Sequence, residues 1–448
     1  MNLSLKTVAQ ATQGKIQGFE NPVITGVAFD SRQVQPGDLF VALVGENDGH
    51  AYLDQAKKAG AVAALVQDDH QVGAVLPAVS VADTLVGLQD LAKAYLAEVS
   101  PKVVAITGSN GKTTTKDMVA AILAQKYQTF KTPENFNNEI GLPVTILSMP
   151  ENTEVLVLEM GMDRPGQLTF LSQLARPDVA IITMIGEAHL EFFHTRANIA
   201  KAKLEITAGL KSGGLLLIPA DEPLLTEASE LPAETKTFGP EPTNCQETLK
   251  ETKFVDQGQK FAIPLLGRYN VRNALSAIRV GQAFGLNLET IATALKNFAL
   301  TKNRTQMLTA QNGALVISDV YNANPTATKE VLQALAQEET QDLVVVLGDM
   351  LELGDQGPAL HAGLKDAVLA AQPKAVYLVG DLMVNNLGPA LLKSDLSQTK
   401  IYNYQKNEID QLTDDLNQRL QANDCLFLKA SHGIHLEKVL DKIIANQN

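Results

Sequence analysis

Short unbroken apolar runs recur along the chain, separated by stretches with helical spacing. "KVVAIT" (102–107), "EVLVLEM" (154–160) and "DVAIITMI" (178–185) have the continuous hydrophobicity of parallel strands buried on both faces. "LVVVLG" (343–348), "AVYLVG" (375–380) and "CLFLKA" (425–430) repeat the pattern further on, again with helical segments between them. Upstream, "DLFVAL" (38–43) reads as a strand and "AYLDQAKKAGAVAALV" (51–66) as a helix followed by a strand. "NVRNALSAIRVGQAFG" (270–285) reads as a helix, with Asn270 as its cap after the turn-like "GRY". The polar stretch from Glu230 to Gln259 reads as surface strands and turns.

These elements fall into three α/β units in series, 1–99, 100–310 and 311–448. The expected fold class is α/β in three domains. A small α/β N-terminal domain precedes a central P-loop-type, mostly parallel sheet, and a C-terminal Rossmann-like domain follows. At 448 residues the chain is too long for one hydrophobic core, which agrees. No repeat, heptad array or low-complexity segment interrupts the scheme.

Composition narrows the class of partner. Apolar residues make up 45% and charged residues 19%, a soluble globular mix. The net charge of −13 (37 basic against 50 acidic) argues against binding nucleic acid, so an anionic ligand needs a locally basic pocket. Cys245 and Cys425 lie far apart without metal-ligand spacing and suit a reducing compartment. The opening "MNLSLKTVAQATQGK" lacks the basic-then-apolar layout of a signal peptide. No apolar run reaches the ~18 residues of a membrane span. The expectation is a cytoplasmic protein with no membrane insertion.

"VVAITGSNGKTTTKDMVAAIL" (103–123) carries the chemistry. A Walker loop is GxxxxGK[ST], in which backbone amides cradle phosphate, the lysine sits on it and the hydroxyl meets Mg²⁺. Gly111, Lys112 and Thr113 fit, but Ile106 stands at the first glycine position and Gly108 arrives two residues later. A strand before the loop and a helix after it aim amides and the helix dipole at an anion. Glu159 ends the run "EVLVLE", where a carboxylate projects over the loop end of a parallel sheet; a solvated strand-end acid is the alternative. His189 in "GEAHLEFF" also follows a buried strand and is otherwise a structural histidine.

The altered loop resembles T-G-[ST]-[NS]-G-K-T of the Mur ligases, ATP-dependent amide-forming enzymes of peptidoglycan precursor synthesis. Similar motifs follow in order: "NFNNEIGLP" (135–143), "LEMGM" (158–162), "AHLEFF" (188–193), "AKAKLEI" (200–206) and "GRYNVRNALSA" (267–277). Arg304 in "KNRTQ", "SDVYNANP" (318–325), "GDMLELG" (348–354) and, in the first unit, "FDSRQVQPGDLFVAL" (29–43) complete the set. The resemblance spans essentially the whole chain. "SDVYNANP" and "GDMLELG" are most similar to the branch that joins D-Ala-D-Ala to UDP-MurNAc-tripeptide.

The resemblance implies the following roles. Gly108, Asn110, Gly111, Lys112, Thr113 and Thr114 surround the phosphates of ATP; Thr113 and Glu159 hold one Mg²⁺. His189 and Lys203 serve a second, Lys203 as a carbamate. By pattern alone Lys203 is a helix-surface lysine. Asn273 contacts adenine, Asp319 lies near the ribose and Arg304 meets the terminal phosphates; without the resemblance Arg304 is a surface salt-bridge residue. Lys112, His189, Lys203 and Arg304 form the catalytic set. Ser31 and Arg32 of "DSR" face the uridine side, although the bare sequence reads equally as a polar turn. Asn137 and Asn138 lie near the reacting groups. Tyr321, Asn322 and Asn324 hold the dipeptide, or form a simple Asn-Pro turn. "KASHGIH" departs from the family's Lys-Gly-Ser-Arg, leaving Ser431 and His432 as candidate contacts. The first domain is then the UDP-sugar-binding unit, the central one the ATP-binding unit and the third the seat of the amino substrate, in a monomer.

Three rivals remain. Diaminopimelate-adding ligases of the family carry Asp-Asn-Pro-Arg where "YNANPTA" stands here. Folate-type ligases lack a comparable first domain. A regulatory NTPase would need no amino acceptor, and the Asn-Lys-x-Asp guanine motif is missing from the sequence.

Overall fold

Each of the apolar runs forms a strand. The computed structural model describes residues 1–18, 20–70, 75–299, 301, 306–337, 342–394 and 399–445. Near the N-terminus, five strands assemble in the order Lys15–Gln17, Ala78–Val81, Ala63–Gln67, Asp38–Val41, Gly26–Ala28. Only the first pairing is antiparallel. The helix Thr84–Val99 then leads out of this unit, its first turn capped by Asp83, which accepts from the amides of Leu85 and Val86.

The central sheet has six strands, all parallel, in the order Thr235–Phe238, Leu215–Pro219, Val179–Ile182, Lys102–Thr107, Val155–Glu159, Thr129–Lys131. Parallel strands need crossovers, and the crossover helices cover both faces, which is why the strands carry no polar alternation. The helices Lys112–Leu123 and Tyr269–Ala283 pack on one face, and Gly141–Ser148 and Gln167–Ala175 on the other. Lys102–Thr107 lies between Val155–Glu159 and Val179–Ile182, so the winding reverses at its carboxyl end, the place where α/β sheets bind ligands. The polar stretch contributes the edge strand Thr235–Phe238 and a separate antiparallel sheet of Gln246–Glu247, Thr252–Asp256 and Gln259–Ile263.

A second six-stranded sheet runs Gln306–Thr309, Leu315–Asp319, Cys425–Lys429, Leu343–Gly348, Ala375–Val379, Lys400–Tyr404. Gln306–Thr309, which precedes residue 311, pairs antiparallel with Leu315–Asp319; the other pairings are parallel. Apolar clusters fill both faces. The loops leaving the carboxyl ends of the two large sheets line a common cleft. Among the described residues no helix is long and apolar enough to cross a membrane.

Candidate active site

The cleft between the two sheets has a volume of about 620 Å³. Its floor is the loop between the strand Lys102–Thr107 and the helix Lys112–Leu123. That helix starts at Gly111 with no side-chain cap, leaving its first amides available to an anion. Gly108 must be glycine because a Cβ there would stand 1.8 Å from the Thr183 hydroxyl. Thr183 in turn donates to the Asn110 carbonyl and so clamps the loop. Lys112 Nζ donates to the Gly108 carbonyl at 2.8 Å, and the Ser109 hydroxyl is buried without a hydrogen-bond partner among the described residues. Thr114 lines the same wall.

Behind the loop, the Thr113 hydroxyl donates to Glu159 Oε2 at 2.8 Å, and Asn137 Nδ2 donates to the other oxygen at 2.9 Å. Glu159 is 1% exposed, so the solvated strand-end acid is excluded. Lys116, fully buried, supplies the counter-charge at 4.0 Å. A hydroxyl and a carboxylate side by side, in the cleft that the orphaned Ser109 hydroxyl also lines, are the oxygen donors that a hard divalent cation takes. Asn138 Oδ1 accepts from the amides of Ile140 and Gly141, ordering the turn that leads into the helix Gly141–Ser148.

His189 has φ of 63° and its Nδ1 donates to Glu352 Oε2 at 2.6 Å, which puts the ring proton on Nδ1. That bond holds the Glu352 carboxyl below the usual carboxylate range. Lys203, on the helix Arg196–Leu204, corrects the surface-lysine reading: it is 2% exposed. Burial, and secondarily the Lys112 charge, push its ammonium well below the usual lysine value.

The Tyr269–Ala283 helix corrects the capping expectation. Its N-cap position is Arg268, already in helical conformation, and Asn270 sits in the first turn donating to the Leu266 carbonyl at 2.8 Å. Asn270 Oδ1 accepts from Asn273 Nδ2 at 3.2 Å, and the Asn273 oxygen covers Gly111.

From the opposite sheet, Asp319 pairs with the buried Lys429, which also donates to the Asn322 carbonyl at 3.1 Å. Tyr321, Asn322, Ser431 and His432 line the cleft; the Tyr321 and His432 rings meet edge-on at 5.8 Å. Asn324 does not line it, because both atoms of its carboxamide are engaged within the protein. Ser31 and Arg32 are also outside the cleft, on the first unit, with Arg32 forked onto Asp30 at 2.7 and 2.9 Å. Arg304 lies outside the described residues.

Pattern reading missed Thr183, Lys116, Glu352 and Lys429, although all four stand inside quoted stretches. It also missed Glu330, which lines the cleft and whose carboxyl burial pushes up to about 7. A further cluster, Asp48, His50 and His70, gathers possible metal ligands. His50 Nε2 accepts the Gln67 amide at 3.0 Å, so Nδ1 carries the proton to Asp48 and is no ligand.

A glycine–lysine–threonine loop at the switch point of a parallel sheet, facing a second parallel sheet across a polar cleft, defines a nucleotide-using enzyme. Family models match nearly end to end: Mur ligase family, catalytic domain, over 23–106; Mur ligase middle domain over 106–281; and Mur ligase, glutamate ligase domain, over 303–432. The chain belongs to the Mur ligase family.

Its relatives include the UDP-N-acetylmuramoyl-tripeptide–D-alanyl-D-alanine ligase of Bacillus subtilis, 39% identical over 98% of each chain. The ligase of the same name from Escherichia coli is 34% identical over 85% of this chain and 86% of its own. Among solved structures, MurF from Acinetobacter baumannii superposes with a TM-score of 0.85 at 29% identity over 98% of both chains. MurF from Thermotoga maritima in complex with ADP gives 0.76 at 28% identity, over 93% of this chain and 96% of that one. The three-domain α/β expectation agrees with these neighbours.

Proposed function

We propose that the protein joins D-Ala-D-Ala to the terminal carboxylate of UDP-MurNAc-tripeptide with conversion of ATP to ADP and phosphate, making the UDP-MurNAc-pentapeptide precursor of peptidoglycan. One observation carries the reading: the phosphate-type loop and the polar Tyr321–Asn322 loop, from different sheets, face one cleft of about 620 Å³. A nucleotide on one wall and an amine on the other would meet there.

A carboxylate repels an attacking amine and is a poor acyl acceptor. In the Mur ligase route the carboxylate oxygen attacks the γ-phosphorus of ATP, the bond to ADP breaks and an acyl phosphate forms. The amine then attacks that carbonyl carbon and phosphate leaves. Lys112 and the uncapped amides of its helix neutralise and orient the phosphates. Thr113 and Glu159 would hold one Mg²⁺, and His189 with a carbamylated Lys203 would hold a second. Divalent cations bound there would offset the charge on the transferring phosphoryl group. The burial that depresses the Lys203 ammonium favours the proton loss that carbamate formation requires: nitrogen bonds to the carbon of CO₂ and a proton is released.

Asn273 lies against adenine and Asp319 near the ribose, while Arg304, by family resemblance, meets the terminal phosphates. Asn137 and Asn138 border the acyl end. Tyr321 and Asn322 hold the dipeptide, whose amine, with an intrinsic pKa near ~8, loses its proton on binding without a protein base. Ser31 and Arg32 take the uridine end, so residues 1–99 hold the UDP-sugar, 100–310 ATP and 311–448 the amino substrate. We place the protein in the cytoplasm as a monomer.

The test is phosphate release from Mg²⁺-ATP with UDP-MurNAc-tripeptide, with and without D-Ala-D-Ala, alongside product mass. Dipeptide-dependent release with a UDP-linked pentapeptide supports the reading. Release indifferent to the dipeptide, with no new amide, overturns it.

A further inference from the structure

The helix Pro325–Ala336 begins at Asn324, whose Oδ1 accepts from the Ala327 amide at 3.0 Å. The same carboxamide reaches out of its own sheet to the glycine loop. Its Nδ2 donates to Asn110 Oδ1 at 2.6 Å, and Asn110 Nδ2 donates back to Asn324 Oδ1 at 3.1 Å. Asn324 is 2% exposed. On the other side Asn110 is equally constrained, since its carbonyl accepts from Thr183. Two contacts flank the pair: Thr326 Oγ1 donates to Glu187 at 2.7 Å, and the Glu191 amide to the Glu352 carbonyl at 3.0 Å.

A reciprocal carboxamide pair is directional: both hydrogen bonds form only when the loop and the helix start are in register. We infer that Asn324 is a positioning residue that, through Asn110, couples the set of the nucleotide loop to the wall carrying Tyr321 and Asn322. It therefore acts as neither a dipeptide contact nor a helix cap alone. The inference rests on the proposed function, which puts the nucleotide on one wall and the dipeptide on the other. A loop ordered by nucleotide then presents Asn110 correctly and favours the arrangement in which the dipeptide wall is docked. By linkage, each ligand tightens the other by the same factor.

Asn324→Ser separates the two roles. A serine still caps Ala327, since it ranks with asparagine as an N-cap, but it is too short to reach Asn110. The measurement is the dissociation constant of a non-hydrolysable ATP analogue by calorimetry, with UDP-MurNAc-tripeptide present, without and with saturating D-Ala-D-Ala. The wild-type ratio should be about five-fold or more. In Asn324→Ser it should fall to near unity while the thermal midpoint holds. Asn110→Ser should lose the ratio as well, whatever it does to nucleotide affinity, and the double variant should lose nothing further. A ratio near unity in the wild type, or one preserved in either variant, overturns the inference. The wild-type ligation assay distinguishes this failure from that of the function itself: pentapeptide formation with an unchanged ratio in Asn324→Ser sinks only the coupling.

Discussion

Gly111 lies directly beneath Asn273: a Cβ added to the glycine would stand 2.3 Å from the Asn273 carboxamide oxygen. Its φ of +80° adds a second requirement for glycine. Gly111→Ala should therefore combine left-handed strain of about 1–2 kcal/mol with displacement of a buried amide. We expect a lower thermal midpoint and an ATP KM raised about ten-fold. An unchanged KM in a folded variant would remove Asn273 from the nucleotide site.

Glu159→Gln keeps one carbonyl oxygen and removes the charge. The Mg²⁺ concentration for half-maximal activity should rise at least ~10-fold, since hard cations take charged oxygen ligands. The variant also leaves Lys116 with a weaker set of counter-charges, though Asp117 stays at 3.8 Å. A stability loss of up to about 3 kcal/mol follows, readable by urea denaturation. If the Mg²⁺ dependence does not move, Glu159 is a structural acid.

Lys203 yields a prediction about dissolved CO₂. Because burial depresses its ammonium, the neutral amine that reacts with CO₂ forms more readily than on an exposed lysine. Activity should fall in CO₂-free buffer and return with bicarbonate. Lys203→Ala should be inactive at every bicarbonate concentration and regain part of its activity with a short carboxylic acid. Native mass spectra of the active wild type without the mass of an added CO₂ would end the carbamate assignment.

Glu330 supplies the pH dependence. Its folded pKa is raised from 4.5 to about 7, with burial the leading cause, so the folded state prefers the protonated form. Its stability contribution is intact below the unfolded value and is lost as pH rises from about 4.5 through about 7. Glu330→Gln, which cannot ionise, should raise the thermal midpoint by several degrees at pH 8 and change it little at pH 4. Equal shifts at both pH values would show that ionisation is not the cause.

The strands were legible because both faces of each large sheet are covered, so burial is written locally as unbroken apolar runs such as Leu343–Gly348. The glycine loop was legible for a related reason, since its constraints fall within a few neighbouring residues. Partners supplied by distant loops left no local signal. Glu352 meets His189 from 163 residues away, and Lys429 meets Asp319 from 110. The burial of Lys203 is a tertiary fact that helical spacing does not encode. Asn270 misled because the cap rule assumes an extended residue before the helix, whereas Arg268 is already helical.

The carboxamide pair that ties the two large sheets together also sets a timetable. Asn110 and Asn324 are 214 residues apart, and at ribosomal speeds of roughly 5–20 residues per second the second follows the first by about 10–40 s. During that interval the nascent chain can complete a phosphate-binding loop while the opposite wall of the cleft does not yet exist. A partly made or truncated chain could therefore hold ATP with no means of spending it, and splitting the nucleotide would wait for the last-made third of the molecule.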